Sequence, residues 1–360
     1  MTTTTHTLPA AQHAWEATFD HDEEGRPLAP RHHRLLMLDV TGTPTAADAD
    51  HLETTLRTLE QELPHGPTGM LTCIGWGPGW FEQHTGHRSP VARPAPMARW
   101  ENPRLESYDA CLHLASDNED ILADITDRLF GDGPLDQRER LQLTDLRTGF
   151  VGRGLPAARR PDAAIPDRAP LMLGFHSGLR GNQAPEDSIT ITTGPLTGGT
   201  TMHVSYIDLD TDSWYEQDPD TRSAQMYSPH ISADQAERLA DDAKSDADTL
   251  PATAAAHGRV GHAQATGRAR LGGVPRINRR DFATLDHGTP GTHFVSLQRT
   301  MEDFNATRAV MNAGDAPTHH ARIGVRRRNG INAFMEVRSR ATFAVPPRRD
   351  RAYPLLTARD

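Results

Sequence analysis

The first 150 residues alternate between two hydrophobic periods, and that alternation restricts the fold more than any other feature of the chain. His33 to Val40 (HRLLMLDV) is a nearly continuous apolar run of strand length, and Thr45 opens a segment whose Leu52, Leu56, Leu59 and Leu63 recur at helical spacing. A second strand, MLTCIGWG, starts at Met70, and a Pro-rich connection over 90–103 leads to a third, DACLHLA, from Asp109. Asn118 to Phe130 then reads as a helix with Ile121, Leu122, Ile125 and Leu129 inward, and another strand is expected near Phe150. The order strand, helix, strand, strand, helix, strand predicts a ferredoxin-like unit over 31–152.

Residues 153–169 (RGLPAARRPDAAIPDRA) have no period and carry Pro156, Pro161 and Pro166, so they read as a linker. Beyond it the alternation returns loosely. Strands are expected over Leu171 to Phe175, Ser188 to Thr193, Thr201 to Leu209 and His293 to Gln298, and helices over 211–217, 232–247 and 300–312. No sequence repeat is visible, only a repeated order of elements. The expected fold class is therefore α+β, with a second ferredoxin-like half over 170–360. Two such halves would form a dimeric α+β barrel-like fold, with a cavity between sheet and helices large enough for a cofactor. Residues 1–30 read as a mobile N-terminal arm.

Composition excludes several function classes. At 360 residues the chain can bury a substantial core. A net charge of −10 argues against a nucleic-acid partner, whose footprint is basic. No apolar stretch is long enough to span a bilayer, so no membrane partner is expected. Residues 1–30 lack a basic region followed by an apolar one, which reads as a cytoplasmic protein. Cys73 and Cys111 both sit in apolar strand-like runs and are expected to be buried thiols, not a disulfide or a zinc site. The pairs His32-His33 and His319-His320 lack metal-ligand spacing and are expected in exposed loops. Gly75, Gly77 and Gly79 do not open a helix as a phosphate-binding loop does, and DDAKSDAD at 241–248 reads as a solvated acidic face.

Six segments carry a resemblance. WGPGWFE at 76–82, GFHSGLRGNQAPED at 174–187 and GGTTMHVSYIDLDTDSWYEQD at 198–218 are followed by GHAQATGRAR at 261–270, INRRDF at 277–282 and GTHFVSLQRTMEDF at 291–304. In that order and spacing they resemble the dye-decolourising (DyP-type) peroxidase family. The resemblance implies one haem b per chain, bound in the second of two ferredoxin-like halves, with hydrogen peroxide and a small-molecule electron donor as partners. A homo-oligomer is compatible with it. The family's haem ligand opens a short basic stretch, which makes His262 the implied iron ligand. Its distal arginine lies on an Ile-x-Arg strand, which makes Arg279 the implied match and Arg280 the neighbour that a one-residue slip would promote. The departure lies in the family's Gly-Phe-x-Asp-Gly motif. Here Gly174, Phe175, His176, Ser177, Gly178 puts Ser177 where the distal aspartate belongs.

That departure matters because peroxide cleavage requires a base to carry a proton between the two oxygens and a cation to stabilise the developing charge. Arg279 can supply the cation, since a guanidinium stays charged even when buried. Its alternative is to serve as the partner of a haem propionate or of a protein carboxylate. A serine hydroxyl cannot shuttle protons near neutral pH as a carboxylate does, so His176 and Asp187, in the same segment, are the candidate replacements. Arg180 and Asn182 are candidate contacts to the haem propionates. His293 reads as a histidine at a strand end. Trp214, Tyr215 and Tyr227 could relay oxidising equivalents but are more commonly packing residues. Three functions remain open: a haem peroxidase, a haem-binding or haem-delivery protein without turnover, and a haem-free scaffold.

Overall fold

The computed structural model describes residues 8–23, 25, 27–175, 183–236 and 247–356. Its strands are β1 (His32–Val40), β2 (Leu71–Trp76), β3 (Arg104–Leu105), β4 (Ala110–Ser116), β5 (Leu141–Phe150), β6 (Thr200–Leu209), β7 (Asn278–Arg279), β8 (Phe282–Thr284), β9 (Gly291–Gln298) and β10 (Met335–Val345). They pair in the order β2-β4-β1-β5-β8-β9-β6-β10, and β10 returns to β2, which closes the sheet into a barrel. The helices are α1 (Ala46–Glu62), α2 (Pro78–Trp80), α3 (Glu119–Phe130), α4 (Leu155–Arg159), α5 (Thr211–Tyr215), α6 (Pro219–Met226), α7 (Ala233–Ala236), α8 (Leu250–His257), α9 (His262–Gly267) and α10 (Met301–Met311). The expected α+β class, two ferredoxin-like halves joined into a barrel, is the observed one.

Period-two alternation along the strands divides the side chains between three layers. Leu35, Met37, Cys73, Cys111, Met202, Val204, Val295 and Phe343 fill the barrel, and both cysteines are free and buried. Leu36, Leu38, Ile74, Leu112 and Leu114 point outward, onto α1 and α3. Those helices start where the sequence places their caps: Thr45 and Asp48 exchange bonds as a capping box, and the Asn118 side chain accepts from the Asp120 amide. In the second half Ser205, Ile207 and Leu209 of β6, with Thr292 and Phe294 of β9, turn outward and face a cavity. A register shift between Val337 and Ser339 brings Arg340 onto the same face of β10 as Met335 and Val337.

The two seams between the halves have few ladder pairs, Ala344 with Trp76 on one side and Phe150 with Ala283 on the other. Polar side chains reinforce each. At the first seam Gln12 Nε2 donates to the carbonyls of Ile74 and Pro346, and Gln12 Oε1 accepts from the Ile74 amide. At the second, Asp286 accepts from the Thr148 amide and hydroxyl and pairs with His293 at 2.8 Å. A glycine permits the close approach in both places: a Cβ at Gly75 would meet Phe343 Cβ at 2.8 Å, and one at Gly149 would meet the Ala283 carbonyl at 2.1 Å.

Four expectations are corrected. Leu171 to Phe175 is a turn-rich segment, not a strand, because its carbonyls accept from side chains: Leu173 from Trp214 Nε1 and Met172 from the Tyr215 hydroxyl. Ser188 to Thr193 is a loop tied to Gly198 and Gly199. The arm is docked over residues 8–19, with Trp15 fully buried under the Arg280 guanidinium. His33 is buried in β1, where it bonds His113 at 3.0 Å and stacks on Phe282. Of the helix expected over 232–247, Ala233–Ala236 is helical and residues 237–246 lie outside those described.

Candidate functional site

The outward face of β6, β8, β9 and β10 forms the floor of a cavity enclosing about 1180 Å³ of atom-free space, including its open mouth. Residues 171–175, α9 and α10 cover it. Its walls are mostly apolar, with Phe294, Phe304, Ile331 and Met335 among them. Trp214 and Tyr215 hold the 171–175 segment in place through the bonds described above, so both serve as packing and positioning residues.

His262 is the first residue of α9 and opens onto this cavity. Two glycines allow it. A Cβ at Gly261 would collide with the Tyr227 carbonyl at 2.0 Å, and Gly330, at φ +54°, lies against the His262 backbone. Burial pushes the imidazole down to about 3, and the Arg279 and Arg308 charges add to the shift. The ring is therefore neutral near pH 7, the form that ligates a metal. Among the described residues no group of three or more His, Cys, Asp and Glu side chains is placed to hold a metal ion. A metal held by His262 would thus take its remaining ligands from outside the protein, as a porphyrin provides them.

Arg279 lies on the same cavity wall. Gln183 fixes its backbone from both sides, accepting from the Arg279 amide at 2.8 Å and donating to its carbonyl at 2.7 Å. Burial lowers its pKa, and the nearby Asp281 opposes the shift. Arg280 turns the other way, donating to Glu186 at 3.0 Å and to the His13 carbonyl. The arginine that addresses the cavity is therefore Arg279.

Two further arginines line the cavity that the sequence reading missed. Arg340 donates to both Glu101 oxygens, at 3.1 and 2.9 Å, and Arg308 lies 3.4 Å from the same carboxylate. Burial would raise Glu101, but these two guanidiniums more than offset it and hold the carboxyl low. Arg308 is pushed down to about 10 by burial and by Arg340, with Glu101 opposing, so it remains charged at neutral pH. Two cations facing one anion leave an excess positive charge beside an apolar space. Arg308 Nη1 and Arg340 Nε are buried and find no hydrogen-bond partner among the described residues. Such donors suit a carboxylate-bearing ligand, and haem propionates are of that kind. The available signals were an arginine four residues after Phe304 on the inward side of a helix and another inside the apolar run of β10.

Asp187 is exposed and is not among the residues that line the cavity. The segment turns back at that point, with the Asp187 carbonyl accepting from the Thr190 amide. His293 lies inside the barrel at the seam, not in the cavity. Tyr227 lines the cavity. His176, Ser177, Arg180 and Asn182 lie outside the described residues.

The closed barrel of two ferredoxin-like halves with a helix-covered outer cavity is the fold of the DyP-type peroxidases. Solved structures of this kind include the dye-decolorizing protein from V. cholerae, with a TM-score of 0.61, 15% identity and coverage of 93% of this chain and 98% of that one. DyPB from Rhodococcus jostii RHA1 gives 0.61 at 16% identity, covering 96% and 99%. A variant of the same protein in complex with heme gives 0.62 at 15%, covering 94% and 96%. The chain belongs to a family of unknown function, DUF7405, whose model matches residues 30–347. No curated protein matches it. Among the described residues no helix is long and apolar enough to cross a membrane.

Proposed function

We propose that the protein is a haem-dependent, peroxidase-like oxidoreductase that uses hydrogen peroxide to oxidise a small-molecule donor. One observation carries the reading: a neutral histidine and a buried guanidinium line a single apolar cavity, in a fold shared with haem peroxidases. His262 would hold the iron of one haem b, and Arg308 and Arg340 would neutralise its propionates, alongside Arg180 and Asn182. Bound haem would supply the redox chemistry, giving up electrons to peroxide and recovering them from the donor. Arg279 would stabilise negative charge on the departing oxygen, since its guanidinium stays protonated in the cavity. The apolar walls lower the local dielectric and strengthen that interaction.

Ser177, at the position of the family's distal aspartate, belongs to the same proposal, as does the division into halves 31–152 and 170–360 with the haem in the second. The serine also favours a second reading, a haem-binding or haem-delivery protein without turnover. Titration of the full chain with haem, followed by peroxide, separates the two. A Soret band that shifts within seconds of mixing supports the oxidoreductase, an inert band supports the carrier, and the absence of any band overturns both.

A further inference from the structure

With Ser177 in place of an aspartate, the cavity needs another group to move a proton. Asp187 faces solvent, and the segment 176–182 (HSGLRGN) contains neither aspartate nor glutamate. Glu101, beside the cavity, is engaged by Arg308 and Arg340, and among the described residues that line the cavity Asp281 is the one carboxylate. Backbone alternation explains its position: Arg279, Asp281 and Ala283 line the cavity, while Arg280 reaches Glu186 and Phe282 packs inside the barrel. Asp281 and Arg279 also line a second, outer cleft of about 1850 Å³ of atom-free space, open to solvent. They therefore stand on the wall common to both spaces, where a small polar reactant entering from solvent would pass between carboxylate and guanidinium.

We infer that Asp281 is the acid–base residue of this cavity, performing from β8's leading edge what position 177 cannot, and that hydrogen peroxide reaches it through the outer cleft. The inference rests on the haem reading above. In the step assigned to it, an Asp281 carboxylate oxygen accepts the proton of the inner peroxide oxygen and delivers it to the outer one. The O–O bond would break with its electron pair going to the outer oxygen, which leaves as water, and the two electrons that the inner oxygen requires would come from the haem that His262 would hold. Asp281 would end in the protonation state in which it began. Arg279 is placed beside it to receive the charge that builds on the outer oxygen before the proton arrives. Other ionisable groups on the two walls are His262, Tyr227, Arg308 and Arg340 on the cavity side and Glu16, Asp20, Asp22, Arg31, His33, Asp117, Arg153 and Arg280 on the cleft side.

The test uses the full chain loaded with haem and two reactions followed at the Soret band. Hydrogen cyanide must surrender a proton before its anion occupies the iron, so its association rate reports the base without any turnover. Reaction with hydrogen peroxide reports the whole shuttle. Asp281→Asn is expected to keep a Soret band and to slow both by at least about tenfold, the lower part of what positioned acid–base groups contribute. Asp281→Glu is expected to keep both rates within about tenfold of wild type and to move the pH midpoint of cyanide association. A merely structural counter-ion to Arg279 would leave that midpoint unmoved, and such a result overturns the inference even if Asp281→Asn fails to take up haem. Unchanged rates in Asp281→Asn also overturn it, and slow rates in His176→Ala alone would assign the proton to His176. A wild-type protein that binds no haem overturns the haem reading itself, and this inference with it.

Discussion

The two helix layers outside the barrel pack against equivalent faces of the sheet and fill them differently. Over the first half, α1 contributes Leu52, Leu56 and Leu59 and α3 contributes Leu122, Ile125 and Leu129, all essentially inaccessible to solvent. Over the second half, the buried positions of α9 are Ala263, Gln264, Ala265 and Gly267, and α10 buries Arg308 one turn after Phe304. The first set joins the strand leucines in one continuous buried cluster. The second is too small to do so, and the unfilled volume becomes the cavity. A site is thus made here by withholding side-chain volume from one of two similar layers and adding charge to its rim.

The largest test of that difference removes the proposed ligand. His262→Ala should abolish stoichiometric haem binding, read as loss of the Soret band, with the circular dichroism of the fold retained, because the imidazole projects into a space and not into packed core. Retention of haem with an unchanged spectrum would move the ligand to another histidine and break the contrast between the layers. Comparable truncations elsewhere should differ in stability. Leu56→Ala, in the packed layer, should cost about 2–5 kcal/mol in denaturant unfolding, the range for buried leucines. Met311→Ala, on the cavity wall, should cost about 1 kcal/mol or less, since it enlarges a space that already exists. Equal losses would mean that the second layer is as tightly packed as the first.

The histidines sharpen the comparison from a different direction. Burial holds His33, inside the barrel, at about 3, and His262, on the cavity wall, at about the same value. Both are neutral in the folded protein, whereas an unfolded histidine titrates near 6.5. The unfolded chain therefore binds more protons below that pH, and stability falls as pH drops from about 6.5 towards 3, by up to about 1.4 kcal/mol per unit for each such residue. Denaturation midpoints measured across that window should fall steadily, and His33→Gln should flatten the slope. A wild-type midpoint independent of pH between 4 and 6 would show that neither ring is held neutral.

Segments whose neighbours in sequence are also their neighbours in space were readable without coordinates. Strands β1, β2, β4 and β6 and helices α1, α3 and α10 follow from local period and caps. The 171–175 segment was misread because its apolar composition suits a strand, while its carbonyls are satisfied by Trp214 and Tyr215, some 40 residues away. The cavity rim was invisible for the same reason. Glu101, Arg308 and Arg340 come from three separate elements, and no spacing relates them. Arg279 and His262 were named only through a family resemblance, and backbone alternation then distinguished Arg279 from Arg280.

The most local effect belongs to the first seam, where the docked arm substitutes for missing ladder bonds between β2 and β10. Gln12 uses both ends of its carboxamide there, and it is almost wholly buried. Gln12→Ala strands the Ile74 amide and relieves the Ile74 and Pro346 carbonyls of their donor, but water can reach a space the size of an amide and recover part of the loss. The expected cost is about 1–3 kcal/mol, with faster hydrogen exchange confined to β2 and β10. The second seam should be untouched, because Asp286, Thr148 and His293 close it from within the folded chain without the arm. Exchange that accelerates equally at β5 and β8 would mean that the seams open together, and that the two halves separate as a unit instead of unzipping from the side the arm covers.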